Sequence, residues 1–176
     1  MKRRIAIRNL LLLSAGAAVL DSCGSKEALA YKNIPLTDGQ SDMLSELSEM
    51  IIPATPDFIG AKDLKSSEFT LLMIDDCADP EDQAAFLEGM KKFDEAYKAT
   101  TGATFLEGTK EQRTAFLNAL EGRLGEEPLS TVVKFYRTMK RSTISAFLSS
   151  EQYLTKVKNY SLIPPKFEGC VPVETV

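Results

Sequence analysis

The residues whose types and placement point to chemistry are three cysteines, at 23, 77 and 170, and an arginine pair at 3 and 4. The 176 residues contain no histidine. That removes the imidazole general base, the Ser-His and Cys-His nucleophile pairs, and every His-ligated zinc, iron or haem. What remains is an export signal, three thiols, and scattered carboxylates, Ser, Thr and Tyr in no spacing that suggests an activated nucleophile, which counts against an enzyme in its own right. Cys23 follows Leu20, Asp21 and Ser22, an order resembling the bacterial lipobox, whose cysteine is lipidated and becomes the new N-terminus after cleavage. Leu20 and Ser22 fit that pattern and Asp21 departs from it. Arg3 and Arg4, ahead of Ile5 and Ile7, resemble a twin-arginine signal, which exports folded proteins. A general-secretory signal with an incidental arginine pair is the alternative.

Cys77 and Cys170 are left as a pair in a protein expected to live where disulfides persist, so one bridge between them is the expectation and two buried free thiols the alternative. Closing so long a loop stabilises a fold by about 4 to 5 kcal/mol in the chain-entropy model, and would pin the tail to the second helix. An acid cluster at 75–82 lacks the alternating pattern of a Ca²⁺ loop. Helix starts explain it instead: Asp79 as an N-cap, Pro80 in the first turn, Glu81 and Asp82 near the positive end of the dipole.

The leader accounts for the first 22 residues. Residues 1–8 hold four of the 21 cations, and 10–20 form an apolar run of eleven, short of the roughly 20 needed to span a bilayer. Residues 1–22 therefore read as a signal peptide, and 23–36, small, charged and aperiodic, as a flexible tether. Without the leader the chain keeps 17 cations against 24 anions, a net charge near −7. Such a chain is a poor nucleic-acid binder, and its expected membrane attachment is through acyl chains on Cys23.

The full chain is 44% hydrophobic and 26% charged, an ordinary globular composition, and residues 37–176 read as an all-α folded domain. Thr37 caps a first helix carrying Met43, Leu44, Leu47, Met50 and Ile51 and stopped by Pro53. Ser66 or Ser67 caps a second, with Phe69, Leu72 and Met73. The third follows Asp79 with the stripe Phe86, Met90, Phe93 and Tyr97. Thr109 and Gln112 make a capping box for a fourth, ended by Gly125. Pro128 opens a long fifth, and Ser150 caps a short sixth reaching about Lys158. The spacing thus predicts a single-domain irregular bundle of five to six helices with an extended C-terminal tail. Along the fifth helix Lys134, Arg137, Lys140 and Arg141 interrupt the apolar repeat. Arg137, Lys140 and Arg141 are the candidate partner face, with a merely solvated face as the alternative; exposed apolar positions of the first helix are a second candidate.

Three stretches carry a family resemblance: LSELSEMIIPATPDFIGAKD from Leu44, FTLLMIDDCADPEDQAAFLEGM from Phe69, and YSLIPPKFEGCVPV from Tyr160. Their order and spacing resemble the gluconate 2-dehydrogenase subunit 3 family over nearly the whole mature chain. Ser145, Ala146 and Phe147 stand where the family usually carries a Gly-aromatic-Phe pattern. The resemblance implies a small, non-catalytic subunit of a membrane-associated sugar or sugar-acid dehydrogenase. Its partners would be a large FAD-binding subunit and often a cytochrome c subunit, and its place the periplasmic side of a bacterial membrane. The chain itself has no G-x-G-x-x-G for a dinucleotide and no C-x-x-C-H for haem, so no cofactor is expected on it. A free-standing helical lipoprotein, structural or binding a small ligand, is the competing expectation.

Overall fold

The computed structural model describes residues 31–125 and 130–158, with Tyr160, Ser161, Ile163 and Cys170. The chain divides into two compact units, 1–32 and 33–176; of the first only Tyr31 and Lys32 are described. The described residues are helical, without a strand: α1 Asp38–Ile51, α2 Ser66–Cys77, α3 Pro80–Thr101, α4 Lys110–Glu121, α5 Thr131–Leu148 and α6 Glu151–Lys156.

Local chemistry sets most of these boundaries. At α1 the Gln40 amide donates to Thr37 Oγ1 at 3.3 Å and the Thr37 amide to Gln40 Oε1 at 2.9 Å. This reciprocal box recurs with Thr109 and Gln112 at α4. Asp79 caps α3, Pro80 fills its first position, and Gly102 ends it at φ 82°, a left-handed conformation suited to glycine. Ser130 and Ser150 cap α5 and α6 through their hydroxyls.

Three boundaries differ from the sequence expectation. Ser66 and Ser67 do not cap α2 but lie buried inside it, because the turn at 61–65 runs straight into the helix. The Ser66 amide donates to Ala61 O at 3.0 Å, and Lys65, at φ 54°, is the cap residue. Helix α4 ends at Glu121, not at Gly125. Helix α5 starts at Thr131, where the Ser130 hydroxyl receives the Val133 amide, rather than at Pro128, which lies outside the described residues.

Helix α5 is the central element, packing most extensively on α3, then on α2 and α1. Its contact with α3 is close because Gly89 faces Phe135; a Cβ at 89 would stand 2.7 Å from the Phe135 Cβ. Around that contact an aromatic core gathers Phe86, Phe93, Tyr97, Phe105, Phe116 and Phe135, with centroids 5.2 to 5.4 Å apart in tilted and edge-on pairs. The expected stripe of α3 is thus the core face. Toward α2 and α1 the packing residues are small and hydroxylic: Thr70 and Ser142 oxygens meet at 2.9 Å, and Thr143 and Ser48 oxygens at 3.4 Å. Small side chains there let the backbones approach while these four hydroxyls keep partners.

Candidate functional site

The first two stretches that carry the family resemblance do structural work, and most of the third lies outside the described residues. Glu49, near the end of α1, accepts the Ala54 amide on one carboxylate oxygen at 2.9 Å and the Lys62 amide on the other at 3.0 Å. That latches the 53–65 loop, and Gly60 sits where a Cβ would overlap the Glu49 carboxylate. The IIPAT and GAKD segments are the two sides of this latch. The acid cluster is equally committed. Asp75, buried at 5% exposure, accepts the Asn33 amide at 2.7 Å and the Ile34 amide at 3.2 Å. Asp79 caps α3, and the Gln83 amide faces the carbonyls of Ile74, Asp75 and Ala78 at 3.1 to 3.2 Å, closing the C-terminus of α2. Asn33 and fully buried Ile34 therefore belong to the domain, although the sequence placed them in the tether.

The candidate partner face on α5 divides in two. Lys140 faces α4 and is paired with Glu121, whose second oxygen accepts the Tyr136 hydroxyl at 3.0 Å. The Lys140 hydrogen bond holds the Glu121 carboxyl below the usual carboxylate range, with the Tyr136 bond adding to it against desolvation. Burial, and then Glu121, pushes the Tyr136 phenol above its ordinary value. Lys140 thus ties α5 to α4, about 100° around the helix from the adjacent Arg141. Met50 and Ile51 of α1 line a shallow hollow beside this pair.

Arg137 and Arg141, four residues apart on one face, instead rim a groove between α2 and α5 of about 780 Å³. Phe69 and Met73 of α2 and Ile144 and Leu148 of α5 supply its apolar surface; Phe69, Met73 and Leu148 are 38 to 44% exposed. The apolar repeat of the second helix was read from Phe69, Leu72 and Met73. The structure turns them outward and buries Ser67, Thr70 and Leu71 instead. The available signal was that α2 is apolar on more than one face, which marks either full burial or a contact surface. Two guanidiniums beside apolar side chains perform recognition rather than bond-making: each offers a planar fork of donors that fits a carboxylate.

Cys77, at the end of α2, and Cys170 are free, exposed thiols. The expected bridge between them is not formed, and neither is the buried pair that was its alternative. Cys77 shares the outward side of α2 with Phe69 and Met73, so its position does not require a cross-link to be satisfied. Arg3, Arg4 and Cys23 lie outside the described residues, as does nearly all of the C-terminal tail. No helix among the described residues is long and apolar enough to cross a membrane. Also among them, no group of three or more Cys, Asp or Glu side chains is placed to hold a metal ion.

A family model for gluconate 2-dehydrogenase subunit 3 matches residues 38–165. No curated protein and no solved structure matches the chain. The match takes in the six described helices, the Glu49 latch, Asp75, the Gln83 contacts and the groove-lining residues, and the chain belongs to the gluconate 2-dehydrogenase subunit 3 family.

Proposed function

We propose that this chain is the non-catalytic small subunit of a membrane-associated flavoprotein dehydrogenase that oxidises a sugar or sugar acid, and that it supports export, assembly or anchoring of the large subunit. The observation that carries the reading is the family match across the whole helical unit. FAD is held by the large subunit, and a cytochrome c subunit receives its electrons. Cys23, lipidated, holds the small subunit on the periplasmic side of the membrane. Arg3 and Arg4 direct export, and a flavoprotein that folds around FAD in the cytoplasm crosses bound to the subunit that carries the signal.

Two properties of the chain support this. It has no histidine, and its Glu49 and Asp75 carboxylates are engaged by backbone amides, as suits a protein whose work is to be bound. The test is fractionation of cells expressing wild type, Arg3→Lys/Arg4→Lys or Cys23→Ala. The arginine variant should leave both subunits and the dehydrogenase activity in the cytoplasm, and Cys23→Ala should release them from the membrane. Unchanged membrane activity in both variants would refute the reading.

A free-standing lipoprotein that takes a small ligand is the second reading. It rests on the groove volume of about 780 Å³, which lies in the range of ligand sites, and it predicts that the chain purifies alone.

A further inference from the structure

We infer that the α2–α5 groove is the docking site for an amphipathic segment of the partner subunit that presents carboxylates to Arg137 and Arg141 and apolar side chains to Phe69, Met73, Ile144 and Leu148. This rests on the subunit reading and adds to it which surface is engaged and by what chemistry. The apolar part is open to solvent: Phe69, Met73 and Leu148 together leave a contiguous surface exposed on two adjacent helices, which in a soluble domain marks a contact site. An open groove between two helices suits an inserted segment better than a small molecule, which binding sites enclose.

Charge selects the occupant. Helix α5 has four cations and no acid. Lys140 is neutralised by Glu121, whereas Arg137 and Arg141 have no ion pair among the described residues. The surrounding chain is net acidic, at −4 overall, so the two guanidiniums form a local positive site on a negative body. An anionic membrane is a poor fit, because two cations on an acidic protein give little attraction to a lipid surface. A second copy is also a poor fit, because a two-fold contact would set this face against itself and bring arginines onto arginines. A partner segment with acidic and apolar residues on one side satisfies both halves of the groove, as helix-in-groove recognition does.

The experiment uses the full-length chain in detergent, co-expressed with the flavoprotein subunit, and compares wild type, Arg137→Glu/Arg141→Glu and the charge-matched control Lys91→Glu/Lys92→Glu on the outer face of α3. A photo-crosslinking residue at position 145, on the groove lining, identifies the occupant. Wild type and control should hold the flavoprotein equally. The arginine variant, folded as wild type by circular dichroism, should weaken the complex by about tenfold or more at low salt. The crosslink should map to an acidic, apolar segment of the flavoprotein. A complex that survives the arginine reversal at wild-type strength, or a crosslink to lipid, to a second copy or to no partner, overturns the groove assignment while leaving the subunit reading intact. A wild-type chain that carries no flavoprotein overturns both.

Discussion

Replacing Asp75 with alanine should loosen the chain segment that leads into α1 from α2, leaving the Asn33 side-chain amide on the residue 75 carbonyl at 2.9 Å. Its carboxylate accepts two amides, Asn33 at 2.7 Å and Ile34 at 3.2 Å, at a site 5% exposed. Ile34 is fully buried, so its amide is left without a partner, at about 1 to 3 kcal/mol. Asn33 is exposed enough for water to replace the lost acceptor, and there the loss is the difference between a charge-assisted bond and a solvent one, about 1 kcal/mol. The sum is about 2 to 4 kcal/mol. With a urea slope of about 2 kcal/mol per molar for a domain of this size, the unfolding midpoint should fall by about 1 to 2 M. Both amides meet the same oxygen, Oδ1, which Asp75→Asn keeps without its charge, so that variant should lose about half as much. Urea titration followed by circular dichroism measures the midpoints, and hydrogen exchange at Ile34 localises the effect. A midpoint for Asp75→Ala within about 0.3 M of wild type, with the Ile34 amide still protected, would refute the reasoning.

Gly89→Ala should force α3 and α5 apart, since the added Cβ meets the Phe135 Cβ at 2.7 Å and the Thr131 carbonyl at 3.3 Å; thermal unfolding should show a loss of about 1 to 3 kcal/mol. The Glu121 carboxyl is lowered in the folded state, so its stabilising effect is full above the ordinary carboxylate value of about 4.3 and fades as pH falls through the lowered native value. Glu121→Gln should flatten that acid limb in a pH series of urea midpoints. Tyr136 is shifted the other way, so its share of stability is intact below the unfolded phenol value of about 10 and is lost as pH rises beyond it; Tyr136→Phe should remove that alkaline loss. Cys77 and Cys170 should both be alkylated in the native, unreduced chain, as peptide mapping would show, and resistance of both to alkylation without reductant would contradict their free, exposed placement.

The helices were legible because their ends are written in short-range chemistry. Thr37 with Gln40, Asp79 with Pro80, and Thr109 with Gln112 act within three residues, so sequence alone locates them. Where the start depended on a turn, as at Lys65, the caps at Ser66 and Ser67 were misplaced, because a left-handed lysine carries no local signature. The faces of α2 and α5 were only half legible. Periodicity grouped Phe69, Leu72 and Met73 correctly but could not tell that the outer side was theirs, since Thr70 and Leu71 supply an equally regular inner side. It likewise merged Lys140 with Arg137 and Arg141, although only the fold brings Glu121 to Lys140. The roles of Glu49 and Asp75 were hidden for the same reason: each acts on backbone amides of a separate segment, which no side-chain pattern announces.

The central claim is membership of a flavoprotein complex, and affinity purification of the tagged full-length chain from detergent-solubilised membranes tests it most directly, with mass spectrometry and visible absorbance on the eluate. A stoichiometric large subunit with a flavin spectrum is the predicted result. A colourless eluate containing the lipoprotein alone would contradict it.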